Sequence, residues 1–225
     1  MLCLSSCGEL RRSPPVPDVK TDSLRVVDGY RLDRAHRDAL LPGGILRDRE
    51  GRTRQLPRYF YEIESWNAAL ELQLAPHFRM WEFIQTDVRE AAPLRFFPRY
   101  VPCAVTLTAA MLERFRDAVG ETVRIAANGG YRSPRHELTG HASTHCWATA
   151  VNIYRIGDDY LDSRDRIERY AEVARETLPG VWVRPAGEDR GFSDDHLHLD
   201  FGYVIAVPHS APGDPFNPKL EGDPL

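Results

Sequence analysis

The sequence predicts an α+β fold, a small mixed or antiparallel sheet with flanking helices. Two segments carry apolar residues at helical spacing, and several short segments between and after them alternate between apolar and polar residues, as strands do. The 225-residue length is enough for one domain with a buried core and extensions, or for two small domains. The regular pattern is concentrated in the second part of the chain, from about residue 76 onward.

The first elements of that part are an aromatic cluster, a helix and a strand. The cluster is formed by Phe78, Trp81 and Phe83 in the segment H-F-R-M-W-E-F. A helix is predicted over 108–119, because apolar residues recur every four positions and a glycine follows. Its predicted buried stripe is Leu107, Met111, Phe115 and Val119. The segment T-V-R-I-A-A then alternates as a half-buried strand and ends at N-G-G.

The later elements place several polar residues on shared strand faces. In A-V-N-I-Y, Asn152 and Tyr154 lie on the face opposite the apolar residues. A second helix is predicted over 163–178, followed by a short strand, V-W-V-R. In the last strand, H-L-H-L-D-F-G-Y-V, the core face is predicted to carry Leu197, Leu199 and Phe201. The opposite face then carries His196, His198 and Asp200.

Charge and composition exclude some classes of function. A formal net charge of −4 with no long basic run gives no basis for binding nucleic acid. No apolar stretch approaches the roughly 20 residues that span a bilayer. None of the four cysteines forms a C-x-x-C pair, which argues against a four-thiolate zinc site. Cys103 and Cys146 are either disulfide-bonded or free, and the sequence leaves both alternatives open.

The sequence divides into four parts, beginning with a flexible N-terminal tether over 1–22 that contains P-P-V-P. Residues 23–75 are an extension of unassigned role, 76–206 are the regular domain and 207–225 are a loose tail. Leu4-Ser5-Ser6-Cys7-Gly8 resembles a bacterial lipobox, but the segment before it is short and lacks a positive region. Either the true start lies upstream, and a lipid on Cys7 attaches the protein to a membrane, or the match is accidental.

Three short motifs contain the residues suited to chemistry. His145 precedes a strand that contains Asn152 seven positions later, D-H-L-H contains Asp195 and His198, and G-G-Y-R-S-P holds Arg132 in a turn. A catalytic zinc ion needs about three protein ligands and an open position for water. It also needs a carboxylate as general base and a cation for the developing oxyanion. The sequence supplies a candidate for each of these roles.

The segments G-Y-R-S-P, S-T-H-C-W-A-T-A-V-N-I and D-H-L-H resemble, in the same order, the signatures of the zinc D-Ala-D-Ala carboxypeptidase family. This family includes vancomycin-resistance dipeptidases and phage endolysin peptidases, and it shares its fold with the Hedgehog signalling domain. The resemblance covers about 76–204. In the signature S-x-H-x-x-G-x-A-x-D, Ser143, His145 and Ala150 agree, Ala148 replaces the glycine, and Asn152 replaces the metal-binding aspartate.

The resemblance implies a Zn²⁺-dependent peptidase of the cell envelope, periplasmic or extracellular, that acts on peptidoglycan stem peptides or other D-Ala-containing peptides. The implied metal ligands are His145, Asn152 and His198. Asp195 stands where the family usually has a glutamate as general base, and Arg132 where an arginine stabilises the substrate oxyanion. The implied substrate-binding residues are Ser143 and Tyr131.

Asn152 leaves a second interpretation open. Its neutral amide oxygen is a poorer zinc ligand than a carboxylate, so the alternative is a non-catalytic or weakly metal-binding relative that binds cell-wall peptides or a protein partner. His141 is the reserve third ligand, and His196 is an auxiliary ligand or an indirect partner of the metal. Asp200 is either solvated or orients a ligand histidine by accepting its other N–H. The alternative role of Arg132 is to brace its turn. Cys146 is interpreted as a core residue or as part of a disulfide.

Overall fold

The computed structural model of the protein describes residues 24–189 and 191–212. Its helices are α1 Arg34–Leu40, α2 Trp66–Glu71, α3 Met80–Phe83, α4 Val105–Val119 and α5 Arg164–Thr177. Its strands are β1 Arg25–Asp28, β2 Ile45–Arg47, β3 Thr53–Gln55, β4 Tyr59–Glu62, β5 Gln73–Ala75, β6 Phe78–Arg79, β7 Tyr100–Pro102, β8 Val123–Ile125, β9 Ala150–Ile156, β10 Asp159–Tyr160, β11 Trp182–Val183 and β12 Leu197–Asp200. The tether with its lipobox and the tail beyond residue 212 lie outside the described residues.

The strands form small antiparallel sheets, so the predicted α+β class is confirmed. One sheet has the order β1-β4-β7. A larger sheet contains β8, β9, β10, β11 and β12, with β9 hydrogen-bonded to β8, β10 and β12. Strands β2 and β3 make a separate hairpin, and β5 pairs with β6. The candidate site therefore rests on β9 and β12, two adjacent strands of the larger sheet.

The two long helices follow the predicted spans, but α4 buries a different face. It begins at Val105, and its fully buried residues are Val105, Thr108, Ala109, Leu112 and Phe115. Leu107, predicted to belong to the buried stripe, is 51% exposed. A spacing of four drifts around a helix of 3.6 residues per turn, so a stripe chosen by that spacing alone can miss the buried face at one end. Helix α5 buries Ile167, Ala171 and Ala174, as predicted.

One hydrophobic core joins the N-terminal region to the regular part of the chain. Phe60 of β4, Phe115 of α4 and Leu199 of β12 all belong to the same buried cluster. Phe78 and Phe83 pack edge to face in it, with ring centroids 6.1 Å apart, as the predicted aromatic cluster requires. The division into an extension and a domain stays a prediction, but residues from both sides of residue 75 stabilise one core.

The described cysteines are free thiols. Cys103 and Cys146 are both buried and unpaired, and they lie in different buried clusters. Burial raises the pKa of each thiol to about 12, so both stay protonated and unreactive at neutral pH. Cys146 is thus a core residue, which was one of the two alternatives. In the same part of the chain, no helix has the length and apolar character needed to cross a membrane.

Candidate functional site

The register of β9 and β12 brings Asn152 and His198 together. His198 lies directly opposite Asn152 in this antiparallel pair. Side chains at opposite positions on one face of a sheet are close neighbours, and here the His198 Nδ1–H donates to the Asn152 Oδ1 over 2.7 Å. The neighbouring residues Leu197 and Leu199 are fully buried on the other face, which fixes this register. Two of the three predicted metal ligands are therefore in direct contact.

His145 reaches the same place from a 3-10 turn that ends just before β9. The turn spans Thr144–Trp147, and Ala148 follows it with a φ of 56°. This left-handed conformation favours glycine, which is the residue of the family signature at this position. The His145 ring lies beside the His198 ring, with centroids 5.3 Å apart. The turn thus places His145, the remaining predicted ligand, beside His198.

Both histidines are held through their Nδ1 atoms. The His145 Nδ1–H donates to the carbonyl oxygen of Gly130 over 2.7 Å, and the His198 Nδ1–H is held by Asn152. A histidine that donates through Nδ1 carries its lone pair on Nε2, which is the arrangement of metal-binding histidines. The His145 Nε2 is buried and has no hydrogen-bond partner among the described residues. Leaving such an atom unpaired is costly unless a ligand or a water pairs with it.

Burial keeps both rings neutral. It lowers the pKa of His145 far below its ordinary value, and the charges of Arg132 and His198 lower it further. It lowers the pKa of His198 to about 4, although the nearby Asp200 carboxylate opposes the shift. Neutral imidazole is the form that binds metal ions. At neutral pH the pair therefore offers two nitrogen donors.

The depressed pKa of His198 predicts that the metal-free protein loses stability in acid. The unfolded chain binds a proton near pH 6.5 and the folded chain only near pH 4, so the stability that this group contributes falls as the pH drops through that window. Between pH 7 and pH 5 the loss is about 2 kcal/mol for this residue. Urea unfolding with chelator at both pH values measures it. The His198→Gln variant should lose about that much less, and an equal loss in both proteins would contradict the assignment.

Two of the three predicted zinc ligands have suitable donor atoms, whereas the Asn152 oxygen is already engaged by His198. The His145 and His198 Nε2 atoms fit the nitrogen ligands of a zinc site. The Asn152 oxygen, the third ligand implied by the resemblance, accepts the His198 Nδ1–H and so orients that ring. Among residues 24–189 and 191–212, no three His, Cys, Asp or Glu side chains are arranged to hold a metal ion. Asn152 as a direct ligand stays a prediction, and its observed contact is with the ring of His198, another predicted ligand.

Asp195 points away from the histidine pair. Its carboxylate is 79% exposed and accepts a hydrogen bond from the Nδ1–H of His196. The Ser193 hydroxyl donates to the other ring nitrogen of His196, so both nitrogens of that ring are engaged. Asp195 as the general base remains a prediction that needs its side chain to rotate. His196 has an indirect position, 6.4 Å from the His198 ring between centroids.

Asp200 is the carboxylate beside the His198 Nε2. Its Oδ2 is 3.9 Å from that nitrogen, and its two oxygens accept hydrogen bonds from the Thr144 hydroxyl and the Gly202 N–H, each over 2.7 Å. The sequence suggested that Asp200 orients a ligand histidine by accepting its other N–H. For His198 the structure gives that task to Asn152, on the Nδ1 side. Asp200 lies instead on the side where a ligand of His198 would be bound.

Arg132 and Tyr131 lie in a tightly held turn. A side chain at Gly130 would collide with the backbone of Phe83, at 2.3 Å from its oxygen, and the Tyr131 N–H donates to that same oxygen. The buried Glu90 carboxylate accepts from the N–H and hydroxyl of Ser133, which closes the turn. Tyr131 is 1% exposed and therefore sits behind the site rather than at its surface. Its role in binding substrate stays a prediction.

The Arg132 guanidinium has a buried Nε–H without a partner among the described residues. Burial lowers its pKa to about 10, so the group is still charged at neutral pH. Its charge acts on His145, and its backbone N–H donates to the His145 carbonyl over 3.3 Å. Arg132 is thus a cation that lies close to His145, as the predicted role of Arg132 requires. Bracing of the turn is accomplished by Glu90 through Ser133.

A cleft of about 350 Å³ opens on the His198 side of the pair. His198, Asp200 and the predicted substrate residue Ser143 line it together with His141. Its other charged and aromatic walls are Arg49, Glu50, Arg52, Trp182, Arg184 and Tyr203. These walls lie in segments without a motif, so sequence analysis gave no sign of them. The reserve ligand His141 uses its Nε2 to accept from the Arg49 Nε–H over 3.0 Å.

No family model matches the chain, and neither the curated proteins nor the solved structures contain a match.

Proposed function

We propose that the protein is a zinc-dependent peptidase of the D,D-carboxypeptidase or endopeptidase type, with a Hedgehog-like or D-Ala-D-Ala-peptidase-like fold, that acts on peptidoglycan peptides. The observation that carries the proposal is the pair of histidines, each held through Nδ1. The His145 Nε2 has no partner among the described residues, and the His198 Nε2 is 3.9 Å from the Asp200 Oδ2. The order of the three motifs in the sequence adds support. The proposal places the protein in the cell envelope, where a lipid on Cys7 would attach it to a membrane.

The residues of the chain would divide the work of hydrolysis. His145 and His198 would hold the zinc ion, and Asn152 would keep the His198 ring in place. A bound zinc ion supplies a water of lowered pKa and polarises the scissile carbonyl. Arg132 would stabilise the negative charge that develops on the substrate oxygen. The proton of the attacking water would pass to a carboxylate, either Asp195 after a rotation or Asp200, which already faces the cleft.

A second candidate is a binding module without catalysis. The observation that favours it is the contact of the Asn152 oxygen with His198, and the described residues contain no group of three His, Cys, Asp or Glu side chains arranged around a metal position. In this case the cleft would grip cell-wall peptides or a protein partner. Both candidates use the same cleft, but only the first needs a metal ion.

Zinc content and D-Ala release from the same purified sample test the proposal. We expect about one zinc ion per chain by elemental mass spectrometry, and release of D-alanine from a blocked peptide that ends in D-Ala-D-Ala. A chelator should stop the release and added zinc should restore it. Metal-free protein that still binds muropeptides would favour the binding module. Zinc-loaded protein that cleaves no bond in intact stem peptides would also contradict the peptidase.

A further inference from the structure

The β2–β3 hairpin of the N-terminal region is docked against the segment that carries the motif histidine. The Ala142 N–H donates to the Arg47 carbonyl over 2.7 Å, and the Trp147 indole N–H donates to the Gln55 carbonyl over 2.9 Å. Trp147 is fully buried under this hairpin. These contacts fix the hairpin beside the cleft, so residues at its tip have a defined place in the wall.

The tip of the hairpin is closed by one buried carboxylate. Asp48 accepts hydrogen bonds from the backbone N–H groups of Glu50 and Arg52, and its side chain pairs with Arg52 and Arg54. Arg52 also pairs with Glu50. The charges of these residues are thus satisfied within the tip. Arg49, between them, is left to point across the cleft.

Two arginines face the cleft without a carboxylate within ion-pair distance among the described residues, although the Asp200 charge acts on Arg184. Arg49 donates its Nε–H to the neutral ring of His141, which leaves its terminal nitrogens available. Arg184, half-buried beside β12, forms no ion pair and donates no side-chain hydrogen bond within residues 24–189 and 191–212. Both arginines line the same cleft. Burial and the charge of Arg49 lower the pKa of the Arg184 guanidinium, and the Asp200 carboxylate opposes this shift. Holding like charges together is unfavourable unless an anion binds between them.

Arg184 lines the cleft together with Arg49, His141 and His198. Asp200 is the one carboxylate on the cleft wall outside the hairpin, and both of its oxygens already accept hydrogen bonds. The balance of charge on the cleft side of the pair is therefore positive.

From this geometry we infer that Arg49 and Arg184 form a subsite for a carboxylate of the bound peptide, with Trp182 as its apolar wall. The inference rests on the proposed function for the identity of the ligand as a peptide. Arginine pairs with carboxylate through two parallel hydrogen bonds, and a peptide ending in D-Ala-D-Ala presents such a group beside a methyl. The N-terminal hairpin is then a part of the substrate site, and Arg49 and Arg184 determine specificity.

The test compares a blocked D-Ala-D-Ala peptide as the free acid and as the C-terminal amide. Isothermal titration with the full chain, in chelator so that turnover does not consume the peptide, gives both dissociation constants. We expect the acid to bind about 10-fold or more tightly, since a hydrogen-bonded ion pair contributes that much. The preference should disappear in Arg184→Gln, fall in Arg49→Gln and persist in part in Arg184→Lys. Arg34→Gln is the control, because its side chain is 88% exposed and outside the cleft.

A third peptide separates the sources of the carboxylate. It carries a C-terminal amide and one D-Glu side-chain carboxylate, and tight binding of this peptide would assign the subsite to a side chain of the stem peptide. Equal binding of acid and amide by the wild type, no binding of either, or a preference unchanged in Arg184→Gln would overturn the subsite. Zinc content of the same protein preparations, measured before chelator is added, tests the proposed peptidase separately, because the subsite requires no metal.

Discussion

Replacing His145 with alanine is expected to abolish zinc binding and to leave the fold intact. The His145 Nε2 is buried without a partner, so the metal-free protein gains nothing from this atom. The variant loses the hydrogen bond to the Gly130 carbonyl, at a cost of about 1–3 kcal/mol. His198→Ala should behave in the same way, because it removes the other nitrogen donor and the partner of Asn152. Zinc per chain falls from about one to near zero in both variants.

The control for this experiment is His77→Ala. His77 is half-exposed and pairs with Glu113, away from the cleft, so its removal should leave the zinc content unchanged. Circular dichroism and urea unfolding, both in chelator, show whether each variant is folded. If His145→Ala or His198→Ala unfolds the chain while the wild type binds no metal, the two residues are core histidines. The proposal of a metal site would then be wrong.

The sequence predicted the individual elements of the site better than the contacts between residues of different elements. Alternation in the last strand placed Leu197 and Leu199 in the core and His198 on the opposite face, and the structure confirms this. The contact of His198 with Asn152 depends on the register of two strands that are 46 positions apart. Such a register is set by packing over the whole sheet rather than by local pattern. The resemblance implies that both residues bind one metal ion, whereas the structure shows a hydrogen bond between them.

The residues that form the wall of the cleft could not be predicted from the sequence for a related reason. The hairpin belongs to the extension of unassigned role, and its composition does not indicate that Trp147 and Ala142 hold it against the site. Arg49 and Arg184 belong to no motif, and each becomes significant only because it lines the cleft without a carboxylate within ion-pair distance in the described residues. Pairing of charges is a property of three-dimensional contacts, so the sequence cannot distinguish these arginines from the paired ones.

The Asn152→Asp variant is expected to bind zinc more tightly than the wild type. A carboxylate at this position either binds the metal directly or accepts the His198 Nδ1–H as an anion, which makes that ring a stronger ligand. In the metal-free protein the new charge, close to the ring, should raise the pKa of His198 from about 4. Competition with a chromophoric chelator measures the affinity, and an NMR titration of the histidine measures the pKa.

Asn152→Ala tells whether Asn152 positions the ring or binds the metal. If it only positions His198, its removal should weaken zinc binding by about 10–100-fold. The visible spectrum of the cobalt-substituted protein should then show the same coordination number as in the wild type. If it is a ligand, the spectrum should change along with a larger loss. Equal affinity in wild type, Asn152→Asp and Asn152→Ala would show that residue 152 acts by neither route. His196 already uses both ring nitrogens and His141 uses its Nε2. Asp200→Asn would then be the variant expected to lose zinc, because the Asp200 carboxylate lies 3.9 Å from the His198 Nε2.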